Sequence, residues 1–488
     1  MAADMQVLRP AGLNERRCIA RDVLGLYGSI VTLGTYSTSI SEALSKTIIH
    51  QALKQCITQH AALCTVVQRA DSENPQLARV ARIDLGDHVV LLEEQATSRD
   101  YPAVAKDILE TAHNHALDDY ETRPQWRLFT APLASKTSSE AARHYLIAFA
   151  SSHALADGMS GLAFHKAFLN ALCDVQESPR NDSAIFEPHT SIQLPPPQES
   201  VGNFTISWSF LLGSLVREYC PTWLVRTLGI GQNTVDPPTG AKTWTGPSRR
   251  PSLPAGAADL VQTAVHVAAV THDVLQIALG QCRQHDAKLT ALLNHLVARA
   301  LAAALRSRDQ TFNRFTSQIA IDLRSCLAAG RDQITNYVSV VEEVIDVSET
   351  TGALTERDWR AISETSKKLA QASSTLADQP VGLLKYLSNF RGWTLKNAAN
   401  QAEASFGMSN LGTFTSSTTT ESNWKVENMI FSQSANGPGT PFDVNVASVK
   451  GGDLMIVISW WPEMLGVADE RTFVEQLSSL VVQQLGVP

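Results

Sequence analysis

Residues 151–158 read Ser151-Ser152-His153-Ala154-Leu155-Ala156-Asp157-Gly158, and the organisation of the chain follows from where this stretch falls. Tyr145 to Ala150, just before it, is almost wholly apolar, as in a buried strand. Met159 to Cys173, just after it, reads as an amphipathic helix. The turn between them therefore carries one His and one Asp, an arrangement that can aim a base into a cleft. Gly158 is expected to supply backbone angles closed to other residues.

The chain has 488 residues, a length that suits two domains or one large pseudo-symmetric pair. Apolar residues make up 44% and charged residues 18%, so a globular chain is expected and not a disordered one. A net charge of −8 argues against a nucleic-acid binder, which needs a basic surface. The seven cysteines are odd in number and none are spaced Cys-x-x-Cys, so they read as small buried hydrophobes in a reducing compartment. No His pairs with Cys, Asp or Glu at metal-ligand spacing, and no metal is expected. Gly229-Ile230-Gly231 lacks a third glycine and a preceding strand, so no nicotinamide or flavin is expected. The N-terminus carries no signal-peptide pattern and no run of 18 apolar residues exists, so a soluble cytoplasmic protein is expected.

Residues 1–180 read as mixed α/β, with helices at Glu42–Ala62 and Tyr101–Leu117 and strands at Trp126–Pro132 and His144–Ala150. Residues 181–255 form a Pro-rich crossover, with breakers at Leu194-Pro195-Pro196-Pro197 and Asp236-Pro237-Pro238. Between the breakers Val201–Gly231 is apolar. It is expected to pack on the domain surface or line a tunnel, and its few cations argue against membrane contact. Residues 256–488 resume the α/β pattern, with helices at Asp273–His285, Ala291–Leu305, Arg357–Ala370 and Arg471–Leu485. Thr290 is a plausible N-cap of the second of these. Strands are expected at Val261–Val270, Gln318–Leu323, Val338–Val347, Ala404–Ser409, Val426–Ser432, Phe442–Val449 and Leu454–Trp461, with Gly451-Gly452 as a hairpin turn.

The His-x-x-x-Asp-Gly pattern of His153, Asp157 and Gly158 resembles the signature of the CoA-dependent acyltransferase superfamily, which includes chloramphenicol acetyltransferase, plant BAHD enzymes and condensation domains. Several segments look like the fungal alcohol acetyltransferase family within it: Ala241-Lys242-Thr243-Trp244-Thr245-Gly246, Ile321-Asp322-Leu323-Arg324, Asn336-Tyr337-Val338-Ser339 and Met408-Ser409-Asn410-Leu411-Gly412. Together they span nearly the whole chain. The resemblance implies an α/β (α+β) fold of two chloramphenicol-acetyltransferase-like subdomains, each a mostly antiparallel sheet with helices, enclosing a central channel. Gly439-Thr440-Pro441-Phe442-Asp443-Val444 retains little of the second BAHD motif, which points away from the plant enzymes.

The implied co-substrates are acetyl-CoA and a small-molecule alcohol or amine, with no permanently bound cofactor and a monomeric enzyme. His153, Asp157 and Gly158 form the catalytic motif. A thioester is already activated, so the acceptor hydroxyl is the remaining problem, and a neutral imidazole can take its proton as the oxygen attacks. The resemblance gives Asp157 a structural role, paired with Arg324. Ser409 and Asn410 are candidate oxyanion donors, or else strand-end residues that cap the backbone. Asn336 and Trp244 are further candidates, Trp244 as a channel wall or as core. Ser152 stands where the double-His form of the motif has its first His, which argues against a condensation domain taking its acyl group from a carrier protein. Gly158-Met159-Ser160-Gly161 is not the Gly-x-Ser-x-Gly of a serine hydrolase. A binding protein that has lost activity would not be expected to retain both His153 and Asp157.

Overall fold

The computed structural model describes residues 5–487, except 41–42, 97–99, 135–141, 175–182, 190, 220–242, 248–261, 349, 401, 403, 417–421 and 438. Two sheets carry the architecture. The first has five strands in the spatial order Trp424–Gln433, Ile30–Thr38, Arg143–Ser151, Trp126–Leu133 and Val89–Leu91. All its pairs are antiparallel except the last. The second has six strands in the order Ala264–Val270, Leu454–Trp460, Phe442–Val449, Phe406–Phe414, Arg314–Asp322 and Val338–Asp346. Phe406–Phe414 runs parallel to both neighbours, and the other pairs are antiparallel.

Both faces of the first sheet are covered. One packs on helix α2 (Lys46–Gln59) and helix α4 (Gly158–Asp174), where Phe149 stacks on Phe164 at 3.8 Å. The other packs on helix α3 (Tyr101–His113) and on Val265, Val267, Met455 and Val457 of the second sheet. The two halves thus share one apolar layer. The second sheet has its own helical cover, led by Leu289–Arg306 and Glu470–Leu485.

Most elements expected from periodicity are present within a few residues, including the hairpin whose turn holds Gly451 at φ +79°. Pro102 sits in the first turn of α3, where its missing N–H costs nothing. Thr290 is not a cap. The helix begins at Leu289 after Lys288, and the Thr290 hydroxyl instead accepts from Asn410 Nδ2 at 3.0 Å. The boundary between halves is not a clean cut at residues 181–255. Trp424–Gln433, far down the chain, completes the first sheet beside Ile30–Thr38. In the crossover, Trp208–Tyr219 is a helix with Trp208, Leu212 and Leu215 facing solvent. Residues 220–231 of that apolar stretch, with Gly229-Ile230-Gly231, and Asp236-Pro237-Pro238 lie outside the described residues. Among the described residues no single helix is long and apolar enough to cross a membrane.

Three histidines are built into this core as neutral groups. Burial lowers the pKa of His88 to about 3, of His113 to about 3 and of His165 to about 4. Each would titrate near 6.5 when unfolded, so between those limits the unfolded chain binds more protons and stability rises with pH. The expected outcome is a melting temperature that declines steadily as pH falls from about 6.5 toward about 4. His165→Gln should melt lower at neutral pH but with a shallower acid slope. A melting temperature flat over that interval would contradict the neutral-histidine core.

Candidate active site

The strand Arg143–Ser151 ends where Ser152 N–H donates to Gln125 O, and the chain turns through His153 before α4 begins at Gly158. Asp157 caps that helix. Its Oδ1 accepts from Ser160 N at 2.9 Å, and its own N–H donates to Ser160 Oγ at 3.2 Å. Gly158 does not have a positive φ, contrary to expectation. A side chain is excluded there by space instead. A Cβ would lie 2.5 Å from Leu411 Cδ2 and 3.0 Å from the Phe431 ring.

His153 is buried, with Nδ1 2.8 Å from Ala156 O. A carbonyl only accepts, so Nδ1 carries the proton and Nε2 keeps its lone pair. Burial, then the charges of Arg21 and Arg17, lower its pKa to about 4 against the opposing pull of Asp157. The imidazole is therefore neutral at ordinary pH and can accept a proton at Nε2.

Asp157 does not reach that ring. Its carboxylate takes both arms of Arg324, Nη1 to Oδ2 at 2.7 Å and Nη2 to Oδ1 at 2.8 Å, and also the N–H of Tyr337 at 3.1 Å. Both side chains are 1% exposed. Burial pushes the Asp157 carboxyl up, but Arg324 and these N–H donors outweigh it and leave it below its ordinary value. Asp322 adds a second carboxylate to Arg324 at 3.0 Å. The arginine also donates to the carbonyls of Gln333 and Thr335, so the stretch 322–337 is tied to the catalytic turn.

Asn336 holds the same turn. Its Nδ2 donates to His153 O, while its Oδ1 accepts from Asn14 Nδ2 at 3.0 Å. That side chain supports the loop and is not available as an oxyanion donor. Asn410 is likewise committed, with Nδ2 on Thr290 and Oδ1 accepting from Gly412 N at 2.8 Å, where Gly412 takes φ +74° at a break in strand register. Ser409 lies on the opposite face from Met408 and Asn410, the face from which Leu411 reaches Gly158. Its hydroxyl has no hydrogen bond among the described residues. Trp244 is 3% exposed inside the core of the second half, 6.2 Å from Phe442.

The sequence reading passed over helix α1 (Leu13–Val23), which underlies the whole site. Asn14, Cys18 and Asp22 recur at i, i+4 and i+8 on one stripe. Asn14 and Cys18 meet Asn336, and Asp22 accepts from Ser152 Oγ. Burial raises the Asp22 carboxyl to about 7. Tyr27, just beyond the helix, has its ring 5.8 Å from the His153 ring and donates to Gln433 Oε1 at 3.2 Å. Glu15 at the third helical position, accepting from Gly12 N–H at 2.6 Å, was the available signal for this helix. Among the described residues no group of three or more His, Cys, Asp or Glu side chains is gathered that could hold a metal ion.

Two sheets that share one apolar layer, the first completed by a strand from the far half of the chain, with a His-x-x-x-Asp-Gly turn at their junction, define an acyltransferase of the condensation and chloramphenicol-acetyltransferase type. A family model described as Alcohol acetyltransferase matches residues 11–481, and the chain belongs to that family. It is 24% identical over 429 residues to a probable alcohol acetyltransferase, crmB, of Aspergillus fumigatus, covering 83% of each chain. It is 22% identical to a probable alcohol acetyltransferase, FCK4, of Fusarium pseudograminearum, over 93% of this chain and 90% of that one. Among solved structures, the TRI3 trichothecene 15-O-acetyltransferase of Fusarium sporotrichioides superposes with TM-score 0.65 at 14% identity, covering 97% of this chain and 94% of that one. The condensation domain of the monacolin K polyketide synthase MokA gives 0.56 at 13% identity, over 99% and 97%.

Removing the Asp157 carboxylate would leave Arg324 buried with only the half-exposed Asp322. Asp157→Ala is expected to cost about 3–5 kcal/mol of stability in denaturant titration. The double variant Asp157→Ala/Arg324→Leu should recover part of that loss. A single variant as stable as the wild type would show that the pair does not tie the halves together.

Proposed function

We propose that the enzyme moves an acetyl group from acetyl-CoA to the hydroxyl of a small-molecule alcohol, with His153 as general base. The observation that carries this reading is the Nδ1–H bond to the Ala156 carbonyl, which fixes the tautomer with a free Nε2 on an imidazole that stays neutral.

The hydroxyl proton moves to Nε2 as the acceptor oxygen bonds to the thioester carbonyl carbon. The tetrahedral intermediate collapses with cleavage of the C–S bond, and the proton held on Nε2 passes to the departing sulfur, giving CoA thiol and the acetyl ester. No acyl-enzyme is required, so one histidine suffices. Asp157 and Arg324 act by holding the turn. Ser409, which shares a strand face with Leu411 beside Gly158, is the side chain best placed to donate to the developing oxyanion.

Thiol release from acetyl-CoA, measured with a panel of alcohols, tests the reading. His153→Ala is expected to lose about 10²–10⁴-fold of the acceptor-dependent rate while keeping its circular dichroism spectrum. Because the base must be unprotonated, kcat/KM of the wild type should be level through neutral pH and fall only as pH drops toward about 4. Full activity in His153→Ala would remove the general-base assignment.

A further inference from the structure

Helix α1 carries two arginines four residues apart, Arg17 and Arg21, on a stripe next to the one that grips the catalytic turn. Arg21 is 8% exposed. Its Nη2 donates to Asn436 Oδ1 at 2.9 Å, and its guanidinium lies over the Tyr27 ring at 4.3 Å. Its Nε is buried without a partner. Arg17 donates through Nε to Asn14 Oδ1 at 3.0 Å and reaches the Cys18 sulfur with Nη2. Among the described residues, neither guanidinium has a carboxylate within ion-pair distance. The charge of Arg21 acts on the carboxyls of Asp22 and Asp443, but burial outweighs it and raises them to about 7 and about 6.

Buried cations are ordinarily paired, and like charges at i and i+4 destabilise a helix. The same molecule pairs its other deeply buried motif arginine, Arg324, with two carboxylates. Burial, together with Arg21, works against the charge on Arg17. Both arginines stand close enough to His153 to depress its basicity. A buried guanidinium, Arg21, with an unpartnered Nε and a half-buried one, Arg17, both without a salt-bridge partner among the described residues beside His153, break a local rule with no gain inside the protein, which is the pattern of a site awaiting a ligand.

We propose that Arg17 and Arg21 form an anion subsite beside His153 that binds a carboxylate on the acceptor, so that the preferred substrate is a hydroxy acid. Arg21 and His153 both pack against the Tyr27 ring, at 4.3 Å and 5.8 Å from its centre, so the subsite and the imidazole are neighbours. The phosphates of CoA lie a full pantetheine arm away from the reacting thioester, so an anion held next to His153 belongs to the acceptor. The class of substrate rests on the acetyl-transfer reading, whereas the binding of an anion does not.

The experiment pairs hydroxy acids with their methyl esters (3-hydroxybutyrate, mandelate and 3-hydroxybenzoate) in two arms, melting temperature and steady-state kinetics. In the wild type, at least one acid should raise the melting temperature where its ester does not, and should have a KM lower by about 10-fold or more. Arg21→Gln, which can still bond Asn436, should erase both differences. Without ligand it should melt at or above the wild type, because an uncompensated charge has been removed; Arg17→Gln serves as the second variant. CoA and pantetheine are run alongside. A stabilisation by CoA that pantetheine lacks and Arg21→Gln abolishes would move the subsite to the donor phosphates and overturn the hydroxy-acid assignment. Equal KM values for acids and esters in the wild type would overturn it too. So would an Arg21→Gln variant that melts lower and loses kcat alike on acid and ester, since that marks a structural or oxyanion role. If no acceptor is acetylated, the acetyl-transfer reading fails alone. An acid-specific melting shift lost in Arg21→Gln would still support the anion site, and its absence would overturn it.

Discussion

The bond between Asp157 and Arg324 is the constraint on which the site depends. It joins the end of a turn in the first half to a strand end in the second, 167 positions apart in sequence, with both charges removed from water. Such a pair adds little net stability over an apolar replacement, because desolvating two charges is costly. Its value is geometric. A bidentate guanidinium–carboxylate contact fixes direction as well as distance, and the remaining lone pairs of Asp157 are taken by N–H groups of Ser160 and Tyr337. The carboxylate is therefore saturated and cannot rotate toward His153. The imidazole finds its orienting acceptor in its own turn, at Ala156 O, a backbone carbonyl where a triad has an acid.

Hydrogen bonds to that turn arrive from both sides. Asn336 reaches the His153 carbonyl from the second half, and Asp22 reaches Ser152 from α1, with Asn14 joining the two systems through Asn336. The close approach of Leu411 and Phe431 over Gly158 completes the enclosure. Helix α4 starts at the only kind of residue that lets those two side chains sit so near the backbone.

Much of this was legible before any coordinates, because the strand–turn–helix around His153 is local and strongly patterned. What could not be read had non-local causes. Ile30–Thr38 is buried along its whole length because both faces of its sheet are covered, so Thr32, Gly34, Thr35, Ser37 and Thr38 lie inside and the alternation that announces a strand is lost. Trp424–Gln433 is patterned as a strand, but nothing in its residues says that its partner is Ile30–Thr38 and not a neighbour in its own half. Asn410 looked like a donor at a strand end. Only the register break that brings Gly412 to its Oδ1 reveals that its hydrogen bonds are spent. Helix α1 escaped because the face that matters is polar: its work is hydrogen bonding to the turn, and an apolar-periodicity reading gives such a face no weight.

Burial first, and then the charges on that helix, hold His153 neutral. A buried imidazole beside a carboxylate would ordinarily be pulled toward its protonated form, which is useless as a base. Here Asp157 is paired with Arg324, while the charges of Arg21 and Arg17, which have no carboxylate partner among the described residues, add to burial in lowering the His153 pKa. The balance keeps Nε2 unprotonated in a region poor in water. In the proposed role of general base, a pKa of about 4 would lessen the drive for proton transfer from a hydroxyl. An anion seated on Arg17 and Arg21 would offset that loss. It would cancel the charge that depresses His153, raising its basicity only once an acceptor is bound. Substrate binding and base strength would then be coupled through two arginines that touch neither the thioester nor the hydroxyl.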